Sequence, residues 1–404
     1  MARSYFTLLL IFVALGLCAQ TESDFYQDNS TELTIHKNLQ VDYSVDGKGS
    51  PSDSKMLQRA IDQVAAKGGG IITLTAGTYH LHNIELRSNV HLRIDKDVVI
   101  EHLTQNPKKS EDVFILAKNG APIENVSITG IDGVYTINLE AHPRGVRAFN
   151  VGAATNFMIA DFLVKDQRSM FSCVTLGIST TDDVNYVRPK NGVIKNGNCL
   201  NTLYGYGLVQ MQAGENILYQ NLKGQGGVTL RAETGLTKMN DLQFGGVDKI
   251  VARNISCTDG NAAVMISPHA MKCGSIDVDG VTAINCGFGV RIGGGFVSKK
   301  YKNPDLEPGS FEKVDVKNVT ATFGETAQLK GKHLKYLPVY REKMLASVPQ
   351  KGSEVVSGPS IAAVLYEASH YRKNVTISNV RGIGFLCQKD IIEPTDKHST
   401  MDCE

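Results

Sequence analysis

A motif of Asn, an alternating apolar triplet and a second Asn or Gly recurs along this chain at roughly two to three dozen residues, a solenoid's repeat length. Copies fall at 125–130, 156–161, 192–196, 216–221, 249–254, 275–280, 313–318 and 374–379. A second pattern accompanies them, at 207–212, 227–235, 263–269, 289–293 and 363–367. Side chains alternate faces along a strand. The pairs Val209/Met211, Val228/Leu230, Val264/Ile266, Val290/Ile292 and Val364/Tyr366 should therefore enter a core. Gln210, Gln212, Thr229, Arg231, Glu233, Ser267, His269, Arg291 and Glu367 should then form one outward column where the coils stack. Amide, guanidinium, carboxylate and imidazole together exceed what a solvated sheet face requires, which makes this column the candidate substrate groove.

A chain of 404 residues with 39 Gly, 12 Pro and no Trp suits many short strands joined by tight turns. The formal charge of +1 gives no global basic excess to drive counterion release, so nucleic acid is not an expected partner. The amino terminus has a basic head at Arg3, an apolar run from Tyr5 to Leu17 and a small residue at Ala19. This pattern predicts a signal peptide over 1–19 and secretion; the run is too short for a comfortable membrane span. Leu17 stands where a lipid-attachment motif wants a small residue, which disfavours a lipoprotein. Beyond the signal lie Cys173, Cys199, Cys257, Cys273, Cys286, Cys387 and Cys403, an odd number without zinc spacing. Cys387 could pair with Cys403 and Cys257 could stack on Cys286, or the thiols stay buried and unpaired.

In chain order, residues 20–40 read as a tether and 41–404 as a single domain. Ser52 or Asp53 caps a helix with Met56, Leu57, Ala60, Ile61 and Val64 on one face, ending at the glycines 68–70. A strand and Gly77-Thr78-Tyr79 follow. This order resembles the opening of right-handed parallel β-helices such as polygalacturonases, and implies an all-β right-handed parallel β-helix with an N-terminal capping helix over its open end. The sequons at Asn125, Asn254, Asn318 and Asn374 read as corner chemistry, since Asn tolerates left-handed backbone angles. Two insertions interrupt the repeats. One is a loop at 298–309 with Lys299, Lys300 and Lys302; the other, at about 324–359, carries Lys330, Lys332, His333, Lys335, Arg341 and Lys343. The second is either a basic flap over the column or a surface helix with solvated charges.

Glycosidic cleavage needs a proton for the leaving oxygen and, in most families, a second carboxylate. Glu233 is the best acid, with Arg231 two residues away and His269 expected one strand spacing below it. Gln210, the run Arg231-Ala232-Glu233-Thr234 and His269, on successive coils, resemble the iota-carrageenases of glycoside hydrolase family 82. The likeness is specific from about Tyr204 to Arg291. It implies endo-hydrolysis of β-1,4 linkages in a sulfated galactan with inversion, Glu233 as general acid, and Gln210 and His269 in support. The family's Glu-Thr-Asp, whose Asp is the base, is Glu233-Thr234-Gly235 here. Glu367 lies three coils off, too far to replace it; His269 or an insertion carboxylate, Glu325 or Glu354, remain, with the insertion favoured. Arg231, Arg291, Lys272 and Lys223 are candidate sulfate contacts. Gln212 adds a polar group to the groove, Tyr204 and Tyr206 can stack on sugars, and His142, Arg144 and Arg147 can extend it. The chemistry needs no cofactor or metal, though bound structural ions such as calcium are compatible with it. A monomer acting on a sulfated polysaccharide is expected. A β-helical polysaccharide lyase and a carbohydrate-binding β-helix with weak or lost catalysis are the alternatives.

Overall fold

Asparagine shapes the coil. In the computed structural model, which describes residues 20–396 apart from 142–144, 168, 182–184, 348 and 387, Asn196, Asn221 and Asn254 have φ of 52°, 53° and 54°. Each bends its long strand, Lys190–Thr202, Gly214–Gly226 or Val247–Thr258, through a corner that most L-residues resist. Their side chains stack as a ladder: Asn196 Nδ2 donates to Asp161 Oδ1 (2.8 Å), Asn221 to Asn196 (3.0 Å) and Asn254 to Asn221 (3.2 Å). The sequons at Asn125, Asn254 and Asn318 are such corners; Asn374 instead ends a 3-10 turn and donates to the Phe311 carbonyl.

Each coil contributes a long strand to a 14-stranded sheet and a short one to a 10-stranded sheet, and the successive coils pair in parallel. The result is a right-handed parallel β-helix. Register places Ile159, Ile194, Tyr219, Ala252, Val278 and Val316 in one inward row. Val209, Leu230, Val264, Val290 and Val364 form the facing row. Both rows belong to one continuous core. The helix Asp53–Ala65 buries Leu57, Ala60, Ile61 and Val64 over the first coil, while buried Asp53 accepts from the amides of Ser50 and His80.

Residues 20–40 are not a tether. His36–Asn38 adds a strand to Gly70–Leu74, and Phe25 and Tyr26 are buried against Met158, Ala160, Val193, Leu218 and Val251. Four of these residues form an outward row of the long sheet, Met158, Val193, Leu218 and Val251, which needs an apolar cover. The Glu22–Lys195 ion pair (2.7 Å) fastens the strap. The expected signal peptide at 1–19 and Cys387 and Cys403 lie outside the described residues. Among the described residues, Cys173, Cys199, Cys257, Cys273 and Cys286 are buried free thiols, with Cys286 Sγ 3.4 Å from the Cys257 carbonyl one coil away. No described helix is long and apolar enough to cross a membrane.

The larger insertion is an antiparallel hairpin, Ala327–Lys330 with Val355–Gly358, linked through 3-10 turns at Gly331–Tyr336 and Val339–Met344. Its apolar side, Leu329, Tyr336, Leu337 and Val356, packs on Val228, Ala262, Phe288, Ala362 and Leu365 of the short-strand sheet. It is a flap, anchored beside the column.

Candidate active site

The column is built by register. Gln210, Arg231, Met265, Arg291 and Leu365 are successive partners, and two residues further along Glu233 pairs with Ser267. Met265 was absent from the expected set, and Thr229 was wrongly included. Gly226 and Gly227, at φ of 78° and 53°, turn the chain into Val228–Glu233, so alternation starts only after the corner. Thr229 consequently points inward, fully buried, its hydroxyl donating to the Ser256 carbonyl (2.7 Å). Val228 faces out beneath the flap.

Glu233 is gripped from three sides. Arg231 donates an Nη2–H to Oε2, Gln210 Nε2 reaches the same oxygen at 3.5 Å, and His269 Nε2 lies 3.3 Å from Oε1. His269 has a φ of 48°, and its Nδ1 is 2.8 Å from the Tyr301 hydroxyl. The network is satisfied when Tyr301 donates to Nδ1 and the ring proton on Nε2 is given to Glu233. The Phe296 ring packs 4.4 Å from the imidazole. Burial opposes ionisation of Glu233, but Arg231, His269 and Arg291 outweigh it and hold the carboxyl down at about 2.

Arg231 also donates to the Gly205 carbonyl and lies 5.9 Å from the Tyr206 ring. Arg291 donates to Asn261 Oδ1 (2.8 Å) and stands 5.7 Å from the Phe288 ring. Tyr204 is buried, with Lys330 of the flap 5.0 Å above its ring. Gln212 sits half-buried one residue past Val209–Met211, its backbone N–H donating to the Leu176 carbonyl (2.9 Å). Arg147 extends the same sheet, stacked 3.6 Å over Phe171 and paired with Asp112 (3.1 Å); His142 and Arg144 lie outside the described residues.

Several expected residues are elsewhere. Lys223 is on the outer face of the long sheet, between Asn198 and Ser256, and Lys272 opens the long strand Lys272–Ile284. The chain has turned from one sheet to the other before reaching either, so neither joins the column. The carboxylates proposed as base also stay away. Glu325 is exposed before the hairpin, and Glu354 Oε2 accepts from the Gln350 backbone N–H (2.8 Å). Among the described residues, neither carboxylate forms a hydrogen bond or ion pair with Glu233, Arg231 or His269. Glu367 is held by the Tyr336 hydroxyl (2.5 Å) and Lys335 (3.5 Å).

At Gly235 a β-carbon would stand 3.0 Å from both Cε1 and Nε2 of His269. The imidazole thus occupies the space into which a side chain at 235 would grow, and Lys300 caps the Gly235 carbonyl (2.8 Å). Phe296, Lys300 and Tyr301 were missed as site residues. The only sequence signal was the lysine-bearing loop at 298–309, which Asp241 holds down through the Lys302 amide (2.7 Å). Among the described residues no cluster of three or more His, Cys, Asp or Glu could hold a metal ion.

No protein-family model matches the chain. It is 30% identical to an iota-carrageenase of Alteromonas macleodii, over 94% of this chain and 88% of that protein. It is 33% identical to an iota-carrageenase of Zobellia galactanivorans, over 89% of this chain and 86% of that one. A solved iota-carrageenase complexed to iota-carrageenan fragments superposes with a TM-score of 0.87 at 29% identity, covering 95% of this chain and 96% of the other.

Proposed function

This chain belongs to the iota-carrageenases, a family of glycoside hydrolases, and from that premise we propose that Glu233 delivers the proton on which cleavage of a sulfated galactan depends. The chain is an endo-acting hydrolase of carrageenan; the lyase reading falls with the membership. The observation that carries the role of Glu233 is its position, a nearly buried carboxylate held by Arg231, Gln210 and His269 in the middle of the outward column.

Cleavage of a β-1,4 linkage with inversion has two demands here. The first is a protonated acid. At rest Glu233 is ionised, because Arg231 and His269 hold its charge. A bound chain excludes water and its sulfates compete for Arg231; both changes raise the proton affinity of Glu233 until it can donate. The second demand is a water-activating group across the sugar, with carboxyl groups about 6.5–9.5 Å apart. His269 is hydrogen-bonded to Glu233, on the acid's own side of the bond, and so orients the acid rather than activating the water.

The proposal is tested by incubating iota-carrageenan with the enzyme and with Glu233→Gln, following reducing ends, viscosity and, by NMR, the first-formed anomer. Wild type should release ends with falling viscosity and an inverted anomer, and the variant should release none. Equal traces for both proteins would refute the assignment. Gly235 favours a second reading, a carbohydrate-binding β-helix with weak catalysis; saturable binding of oligosaccharides by wild type without cleavage would establish it. Export is part of the proposal, and amino-terminal sequencing of protein from the medium should begin at Gln20.

A further inference from the structure

On either side of its asparagine corners the long sheet carries outward rows of opposite character. Before the corners Lys195, Gln220, Arg253, Asp279 and Lys317 stand in register. Their charges are paired, Lys195 with Glu22, Arg253 with Asp277 and Lys317 with Asp279. Past the corners the row reads Asn198, Lys223, Ser256, Thr282 and Thr320. Short neutral side chains at four of these five positions keep the floor low, and a groove of about 580 Å³ follows it along the corner asparagines. The groove is lined from the long sheet and from Val134, which precedes the strand Tyr135–Asn138; no residue of the column lines it.

Its chemistry is that of neutral donors and acceptors. Ser256 donates its hydroxyl to the Leu222 carbonyl (3.4 Å), whereas among the described residues the side chains of Asn198, Lys223, Thr282 and Thr320 make no hydrogen bond or ion pair within the chain. Asn221 gives one N–H to Asn196 and accepts one from Asn254. Its second N–H and second lone pair stay available to the groove. Val134, 38% exposed, adds an apolar surface. The sheet's backbone groups are already paired between coils, so this face takes no added peptide strand. Neighbouring positions repeat at about 4.8 Å, or roughly 19 Å over the four spacings from Asn198 to Thr320. That repeat is close to the advance of one pyranose ring along an extended glycan, and each ring brings hydroxyls that both donate and accept. No carboxylate lines the groove and its one charge, Lys223, is positive, so a polyanionic glycan meets no repulsion there.

We propose that this groove is a second glycan-binding site, remote from the column, in which the amides and hydroxyls of Asn198, Asn221, Thr282 and Thr320 hydrogen-bond the sugar rings of the enzyme's own polymer. The inference rests on the chain's membership among carrageenan hydrolases for the identity of that polymer, and not on the role of Glu233. A polymer held at the groove stays near the column between cleavages, because the second contact becomes intramolecular once the first has formed. An oligosaccharide too short to reach both sites gains nothing from it.

The test uses the full chain with two sets of substitutions, Thr282→Glu, which sets a carboxylate on the floor, and Asn198→Ala/Thr320→Ala, which removes polar groups without changing charge. The ladder asparagines are left intact because the coil is built on them. All three positions are exposed or half-buried and make no bond within the chain, so each variant should melt with its parent. Isothermal titration of iota-carrageenan hexasaccharide is done in the Glu233→Gln background, where nothing is cleaved. Thr282→Glu should bind one oligosaccharide fewer per chain than Glu233→Gln alone, and the alanine pair should weaken that same site about tenfold or more. Equal stoichiometry and affinity in all three proteins overturns the site, whatever the role of Glu233. Loss in the glutamate variant alone shows attraction to the Lys223 charge and overturns the hydrogen-bonded glycan. In the catalytic chain Thr282→Glu should raise KM on polymeric iota-carrageenan about tenfold with kcat within twofold; an unchanged KM beside a lost site overturns the role in retaining polymer.

Discussion

Replacing Arg231 with methionine removes the charge that most strongly holds Glu233 ionised, while keeping a side chain of similar reach. The carboxyl falls from 4.5 to about 2 in the folded chain, which at ~1.36 kcal/mol per unit favours the ionised form by roughly 3 kcal/mol. At pH 7 the resting enzyme then carries the acid protonated in roughly one molecule in 100,000. Without Arg231 the desolvation of a site only 16% exposed acts against the weaker help of His269 and Arg291. The pKa should return to 4.5 or above. Carboxyl carbon-13 NMR, with Glu233→Gln identifying the resonance, should show no midpoint above pH 3 in wild type and one at 4.5 or higher in the variant. Stability gives an independent check. A depressed carboxyl pKa contributes stability that is complete above the unfolded value of 4.5 and disappears as pH falls toward about 2. Wild type should therefore lose more stability than the variant between pH 5 and pH 2.5. A shared midpoint in both proteins, or a shared loss of stability, would refute the reasoning.

Gly235→Ala puts a methyl group 3.0 Å from the His269 ring; it should lengthen the bond to Glu233 and lower kcat about tenfold, or roughly 1.4 kcal/mol, with KM little changed in steady-state assays. Thr229→Val keeps the shape but leaves the Ser256 carbonyl without its donor, and should cost about 1–2 kcal/mol in urea unfolding. Asn221→Ala removes two ladder bonds at a φ of 53°; it should cost about 2 kcal/mol, and Asn221→Gly less, since glycine keeps the angle. Cleavage is proposed to need no metal, so activity after EDTA and gel filtration should match the untreated enzyme.

The repeat made the coil and most of the column legible, because a parallel stack converts sequence alternation directly into rows. Gln210, Arg231, Glu233 and His269 were found for that reason: register does in space what the motif does along the chain. Errors came where alternation is interrupted. The glycine corner at 226–227 inverted Thr229 and Val228, and the turn between sheets carried Lys223 and Lys272 away. Tyr301, Phe296 and Lys300 reach His269 and Gly235 from a non-periodic loop, whose path depends on Asp241 and on backbone bonds to the His269 carbonyl. The strap at 20–40 was missed because the outward apolar row it covers lies scattered over four coils. It becomes a row only once Met158, Val193, Leu218 and Val251 are in register.

The ion pair that holds the proposed acid bears on selectivity between sulfated and neutral chains. Glu233 cannot donate a proton while Arg231 is fully engaged with it, and what competes for a guanidinium is a sulfate. A neutral galactan of the same shape could lie along the column and exclude water, yet leave the ion pair closed. Discrimination would then appear in kcat as well as in KM. Arg231→Met should accordingly lose the steep advantage of sulfated over desulfated chains in kcat, measured by steady-state kinetics on the two substrates.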